Sequence, residues 1–271
     1  MKHTVSSSVV ARVCLKMARK VTDLINNNNR FTYSYEVTPD IKVEELDNLN
    51  LQPLFFSITW HAHQHQCKNL NIAPLKLANY LRSKGKDVLL NVSCTDLKKD
   101  YLNELLQMLQ EKDICNLFII SGGDSELIAY IRHRTGNYFC IGSAGFPGDD
   151  NKLSQLKEKV DVGMDFIITQ AFFTYDIYDN YLQKCKDLRI NVPTIPGIFP
   201  FDSLKELQTF INLCKIHISE DLINMSSVKP GYEIVTDLIK TMIGKLQEKH
   251  FHFFTLNNLQ RTIKIITQID C

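Results

Sequence analysis

The chain has 271 residues, 44% hydrophobic and 23% charged, with a formal net charge of +1. This balance suits a globular protein with a large core and excludes global disorder; it also supplies no broad basic field for sequence-independent nucleic-acid binding. No apolar run approaches the ~20 residues of a membrane span. The eight cysteines form no CxxC pair, which favours reduced thiols in a cytoplasmic protein over a disulfide framework or structural zinc.

The first 22 residues carry Lys2, Arg12, Lys16, Arg19 and Lys20 and no acid, a composition shared with mitochondrial transit peptides. Val9, Val10, Val13, Leu15, Met17, Val21, Leu24 and Ile25 also form an apolar stripe, and the spacing favours an amphipathic helix leading into the first strand. The polar run Asn26–Asn29 reads as a loop. From Phe31 onward short β-rich runs alternate with helical periods. Strands are predicted near Phe31–Glu36, Leu54–Thr59, Val88–Ser93, Leu117–Ile120, Tyr138–Ser143, Phe166–Thr169, Thr194–Ile198 and His252–Thr255. Between them apolar residues recur at three- and four-residue spacing in Ala73–Lys84, Leu102–Glu111, Leu153–Val160, Tyr178–Lys186 and Leu204–Lys215, as amphipathic helices require. Pro230-Gly231 breaks the interval from Glu220 to His250 into a short segment and a long helix.

Eight strands with intervening helices predict one α/β domain over 1–271, a (β/α)8 TIM barrel with an extra N-terminal helix. A doubly wound sheet gives similar alternation, but no GxGxxG follows an early strand. Barrel active sites lie where the strands end, which selects Glu36, Thr59 to His61, Asn91, Ser121 to Asp124, Ala144 to Pro147, Gln170, Gly197 to Phe199 and Thr255 to Asn257. His61, His63 and His65 alternate like a metal-binding HxH, yet they follow the second strand and the later strand ends show no comparable histidines, so they read as a surface loop and no metal is expected. Ser121-Gly122-Gly123-Asp124 could cradle a phosphate but lacks the Lys-Ser/Thr ending of a P-loop.

The same strand ends carry a family resemblance. Tyr33-Ser34-Tyr35-Glu36 with Pro39, Ile58-Thr59-Trp60-His61, the run Leu156 to Val160 with Gly163 and Asp165 to Gln170, Ile195 to Pro200, and His252 to Asn257 resemble, in order, segments of the methylenetetrahydrofolate reductases. The resemblance runs from about Phe31 almost to the C terminus. It implies a flavoprotein oxidoreductase in which FAD takes hydride from NADH or NADPH and passes it to 5,10-methylenetetrahydrofolate, giving 5-methyltetrahydrofolate. Glu36 would be the acid/base, its pKa raised in a desolvated mouth, and Asp124 the aspartate between flavin and pterin. Thr59, Trp60, Asn91, Gly122, Ala144 and Lys159 would contact FAD; Gln170, Phe199 and Phe254 would hold substrate.

Several family positions are changed. The fourth-strand Arg-Gly-Asp-Pro is Ser121-Gly122-Gly123-Asp124-Ser125 here, Asn91 replaces a histidine and Phe146 a tyrosine. A histidine-containing loop is cut to Gly148-Asp149-Asp150, Lys152 stands near a family aspartate, and Phe254 and Asn258 replace a tyrosine and an arginine. Each lost charge-assisted hydrogen bond removes about 1.5–3 kcal/mol, so two such losses weaken FAD binding by roughly 10²–10⁴-fold. FAD binding is therefore expected to be weak or lost. The alternative to a working reductase is a noncatalytic member that binds another ligand or a protein partner, as a homo-oligomer or paired with an intact reductase.

Overall fold

The computed structural model describes residues 17–93, 97–120 and 124–269, with Asp124 described in its backbone alone. Ser121, Gly122 and Gly123, and the predicted helix before residue 17, lie outside the described residues. The ordered path opens with α1 (Val21–Asn26), β1 (Thr32–Val37), α2 (Val43–Asp47), β2 (Phe56–Ile58), α3 (Ala62–His65), α4 (Ala73–Ser83) and β3 (Val88–Ser93). It continues through α5 (Lys99–Glu111), β4 (Asn116–Ile120), α6 (Asp124–Thr135), β5 (Cys140–Gly145), α7 (Leu153–Asp161), β6 (Phe166–Thr169), α8 (Tyr175–Asp187), β7 (Thr194–Ile195) and β8 (Gly197–Ile198). It finishes with α9 (Leu204–Cys214), α10 (Glu220–Val228), α11 (Gly231–Leu246), β9 (His250–Phe254) and α12 (Leu259–Ile269).

All strands run parallel in the order β7-β6-β5-β4-β3-β2-β1-β9-β8, the winding of a (β/α)8 barrel. The predicted stave Thr194–Ile198 is divided at Pro196: β7 pairs with β6 and β8 with β9. Proline has no N–H for the ladder. Its carbonyl accepts from His252 N at 3.0 Å, and Gly197 N turns to Thr169 Oγ1 at 2.9 Å. The ring thus closes around this residue, and two short strands stand where one was expected. The final stave starts at His250, two residues earlier than predicted, and α12, which buries Leu259, Thr262, Ile265 and Ile266, adds to the predicted helices.

Parallel strands covered by helices are buried on both faces and need apolar residues on each. The outward set packs under the helices; in α5, Tyr101, Leu102, Leu105, Leu106 and Leu109 are buried, the three-and-four spacing of one helical face. The inward set, including Phe55, Leu89, Phe118, Phe166 and Ile168, fills the barrel together with Val21 and Leu24 of α1. The described end of the N-terminal segment therefore closes the barrel floor. Asn116, fully buried, secures it: Oδ1 accepts from Val21 N at 2.8 Å and Nδ2 donates to Arg19 O at 3.0 Å. The Arg19 guanidinium meets Asp87 at 2.8 Å. Pro230 and Gly231 separate α10 from α11 as predicted, and Gly231 lies so close to Phe201 that a Cβ would come within 2.2 Å of its ring.

Candidate active site

Side chains alternate along a strand, so β1 sends Thr32, Ser34 and Glu36 inward while Tyr35 and Val37 pack outward. Glu36 is the last of the inward set and faces a cavity of about 610 Å³ at the C-terminal ends of the strands. Its side chain is half-buried. Asn91, 4% exposed on β3, donates through Nδ2 to Glu36 Oε2 at 3.4 Å and accepts through Oδ1 from Ser57 Oγ at 2.8 Å. β2 thus holds the amide that holds the carboxyl. Desolvation pushes the Glu36 pKa up to about 7, against the smaller opposing effect of the Asn91 hydrogen bond. Glu36 can therefore keep or release a proton near neutrality.

Around the cavity the strand ends supply distinct chemistries. Phe118, Ile120, Ala144, Ile168 and Phe254 give apolar walls. Lys159 reaches in from α7 and donates to Ser143 Oγ at 3.0 Å, which donates onward to Ile119 O at 2.9 Å. Thr59 shares a 3.0 Å hydrogen bond with His61 Nε2. Gln170 is half-buried, with its backbone N on Gly145 O at 2.7 Å and its Oε1 accepting from Ala171 N at 2.9 Å; it lines the cavity, and its amide NH₂ can serve there as a donor. Trp60 lines the cavity but is 1% exposed, its Nε1 buried with no hydrogen-bond partner among the described residues.

Of the predicted site residues the fold gathers Glu36, Thr59, Trp60, Asn91, Ala144, Lys159, Gln170 and Phe254 around this one cavity. Phe199 is placed elsewhere: 2% exposed, it lies face to face with Phe210 of α9 at 3.7 Å between centroids and is absent from the cavity wall. Gly122 and the Asp124 side chain lie outside the described residues. His61, His63 and His65 do not converge. His61 is engaged with Thr59, and His65 binds Trp60 O at 2.9 Å and Cys67 N at 3.1 Å. Among the described residues no group of three His, Cys, Asp or Glu side chains is arranged to hold a metal, and no helix is long and apolar enough to cross a membrane.

Three participants escaped the residue reading: Ser57, Ser143 and His252. Each is a buried polar residue, 1% exposed, on an inward strand position. For His252 the signal was the polar alternation, Thr32-Ser34-Glu36 on one strand and His250-His252 on its neighbour, where an inert core would place aliphatic residues; Ser57 and Ser143 are single serines in apolar strands and carry no such pattern.

A profile of the methylenetetrahydrofolate reductase family matches residues 20–270. "Methylenetetrahydrofolate reductase 2" of Schizosaccharomyces pombe is 29% identical over 91% of the chain and 47% of that protein. A "probable methylenetetrahydrofolate reductase (NADH)" of Oryza sativa is 24% identical over 94% of the chain and 50% of that protein. The chain therefore spans about half the length of these curated relatives. A solved structure of oxaloacetate acetylhydrolase with oxalate superposes with a TM-score of 0.52 at 9% identity, covering 93% of this chain and 84% of that one; at that identity the likeness is one of fold. With the profile spanning the barrel and the cavity set at its strand ends, the chain belongs to the methylenetetrahydrofolate reductase family.

Proposed function

We propose that this barrel reduces a methylenetetrahydrofolate with electrons from NADH or NADPH, using Glu36 as its proton donor and an exchangeable flavin. The carrying observation is Glu36 itself, a carboxyl with a pKa near 7, oriented by Asn91 on the wall of a 610 Å³ cavity. General acids work best with a pKa close to the operating pH.

The residues present fit the ring of a flavin. Apolar side chains at 118, 120, 144 and 168 provide walls for a planar heterocycle, and Thr59, Asn91 and Lys159 provide polar groups at the edges. The fit to the diphosphate is poorer. Among the described lining residues the lysines are Lys152 and Lys159, with Glu158 beside them, and Lys159 is engaged with Ser143. Flavin, when bound, supplies the hydride relay between the nicotinamide and the folate. The chain's own part is to hold a neutral Glu36 carboxylic acid against the folate, present the Gln170 amide to its polar ring edge, and exclude water with Phe254, Ile120 and Ile168.

We accordingly expect the purified protein to be largely colourless and to bind FAD more weakly than micromolar. A stoichiometric flavin spectrum on folded protein contradicts the exchangeable cofactor. With FAD supplied in excess, NAD(P)H oxidation should become dependent on methylenetetrahydrofolate. A protein that oxidises neither nicotinamide when so supplied is instead a noncatalytic member that acts through a partner or another ligand.

A further inference from the structure

Below Glu36 the barrel interior holds a continuous chain of hydrogen bonds that ends at the cavity. Thr32 Oγ1 lies 3.2 Å from Lys249 O and 2.9 Å from His250 Nδ1; His250 Nε2 lies 3.1 Å from Ser34 Oγ, and Ser34 Oγ lies 2.8 Å from His252 Nδ1. His250 and His252 are 3% and 1% exposed, and Phe55 stacks along both rings at 5.5 and 6.1 Å. With no carboxylate in contact, both imidazoles are neutral and carry one N–H each.

The hydrogens can be counted. Thr32, His250, Ser34 and His252 bring one each, and four contacts are to be made. Lys249 O can only accept; it takes Thr32 N–H at 2.7 Å and the Thr32 hydroxyl at 3.2 Å, and in making that second contact Thr32 Oγ1 donates and is left to accept from His250 Nδ1–H. His250 Nε2 then accepts from Ser34, which leaves Ser34 Oγ to accept from His252 Nδ1–H. The opposite sense makes one internal contact fewer, losing that from Thr32 Oγ1 to Lys249 O, which keeps its bond from Thr32 N. The consequence falls at the upper end: His252 Nε2 is left with a lone pair and no partner among the described hydrogen bonds, on a residue that lines the cavity.

We propose that His252 is a specificity-determining residue, accepting through Nε2 a hydrogen bond from a ring lactam N–H of the ligand in the mouth, the sense in which the chain from Lys249 through Ser34 makes all four of its contacts. This rests on the reading above only for the ligand's identity, since flavin and pterin both carry such an N–H. Ser34 does not line the cavity and acts as a positioning residue. Its hydroxyl holds the His252 hydrogen on Nδ1, the less common tautomer of free histidine.

Side-chain 15N NMR of labelled protein tests this without any turnover. The free protein should show His252 protonated on Nδ1 with Nε2 bare, and Ser34→Ala should release the ring to the Nε2–H tautomer. Added FAD or tetrahydrofolate should move the Nε2 resonance in the direction of an accepted hydrogen bond, and which ligand does so identifies flavin or pterin as the source. His252→Phe, which keeps the stacked ring, should weaken that ligand about tenfold, the effect of losing one such bond. An Nε2–H tautomer in the folded wild type, or an Nε2 signal unmoved by either ligand at millimolar concentration, overturns the proposal. Calorimetric binding without an Nε2 shift defeats this inference alone; an Nε2 shift without reductase activity defeats only the reductase reading.

Discussion

A carboxyl that stays half-protonated at neutral pH reports on its surroundings, and for Glu36 these are the barrel wall and the Asn91 amide. Removing the amide as Asn91→Leu takes away a hydrogen bond that favours the charged form, so the Glu36 pKa should rise further. If the protonated acid is the working species, the alkaline limb of the pH–rate profile moves to higher pH in that variant, and an unmoved limb counts against the pairing. The linkage to stability has a definite sign. The folded state binds this proton more tightly than the unfolded chain, so the neutral acid carries no penalty below pH 4.5, and stability is lost as pH rises from there through about 7. Glu36→Gln should leave urea-melt stability nearly unchanged at pH 4.5 and raise it by about 3 kcal/mol at pH 8. Glu36, Lys159 and Gln170 were legible in the sequence because each stands inside a segment that resembles the family, Glu36 and Gln170 at strand ends and Lys159 on the helix before β6. The contact between Asn91 and Glu36 was not, because they lie on strands separated by β2 and meet only through the ring's curvature.

Elements were legible where one period dominated. Val88–Ser93 and Phe166–Thr169 coincide with their predicted bounds because each is a short, mostly apolar β-rich run between helical periods. The seventh stave misled because Ile195 and Ile198 advertise a strand, while Pro196 between them cannot donate to its neighbour. Gly197 shows how tightly the closure is made: a Cβ there would lie 2.0 Å from Thr169 O and 2.7 Å from the Phe254 ring. Backbone cannot yield as a side-chain tip can, so Gly197→Ala should cost about 2 kcal/mol or more in denaturant melts, toward the upper range for overpacking. It should also displace Phe254 from the cavity wall. A variant of wild-type stability would mean that the stave is looser than this geometry.

Among the described residues, two buried histidines and two half-buried glutamates have the large shifts that shape the response to pH below neutrality. His250 and His252 are driven down to about 3 chiefly by burial, so their stabilising neutral state is lost progressively as pH falls below 6.5 toward 3. Glu36 and Glu248 are driven up to about 7 and about 6 and act in the opposite sense above pH 4.5. Between pH 5 and 6 the two pairs nearly cancel. Stability should therefore be level from about pH 5 to 8 and fall by roughly 2 kcal/mol per unit below pH 4.5, where the histidines act with little opposition from the two glutamates. The double variant Glu36→Gln with Glu248→Gln should unmask the histidines, its stability climbing from pH 4.5 to 6.5; a flat profile there would show that the histidines are not the balancing groups. The barrel itself was legible from strand–helix alternation. The floor closed by Val21 and Leu24 was not, because an apolar helical face does not say which surface it will cover.

The most direct test of the central claim is methylenetetrahydrofolate-dependent oxidation of NADH and NADPH by the purified chain saturated with added FAD, compared with Glu36→Gln in parallel. The account predicts turnover by the wild-type chain, and in the variant a loss of about 10²-fold or more with nicotinamide-to-flavin reduction largely retained. Folded, flavin-loaded wild-type protein that fails to reduce the folate, or a variant that reduces it as fast as the wild type, would contradict it.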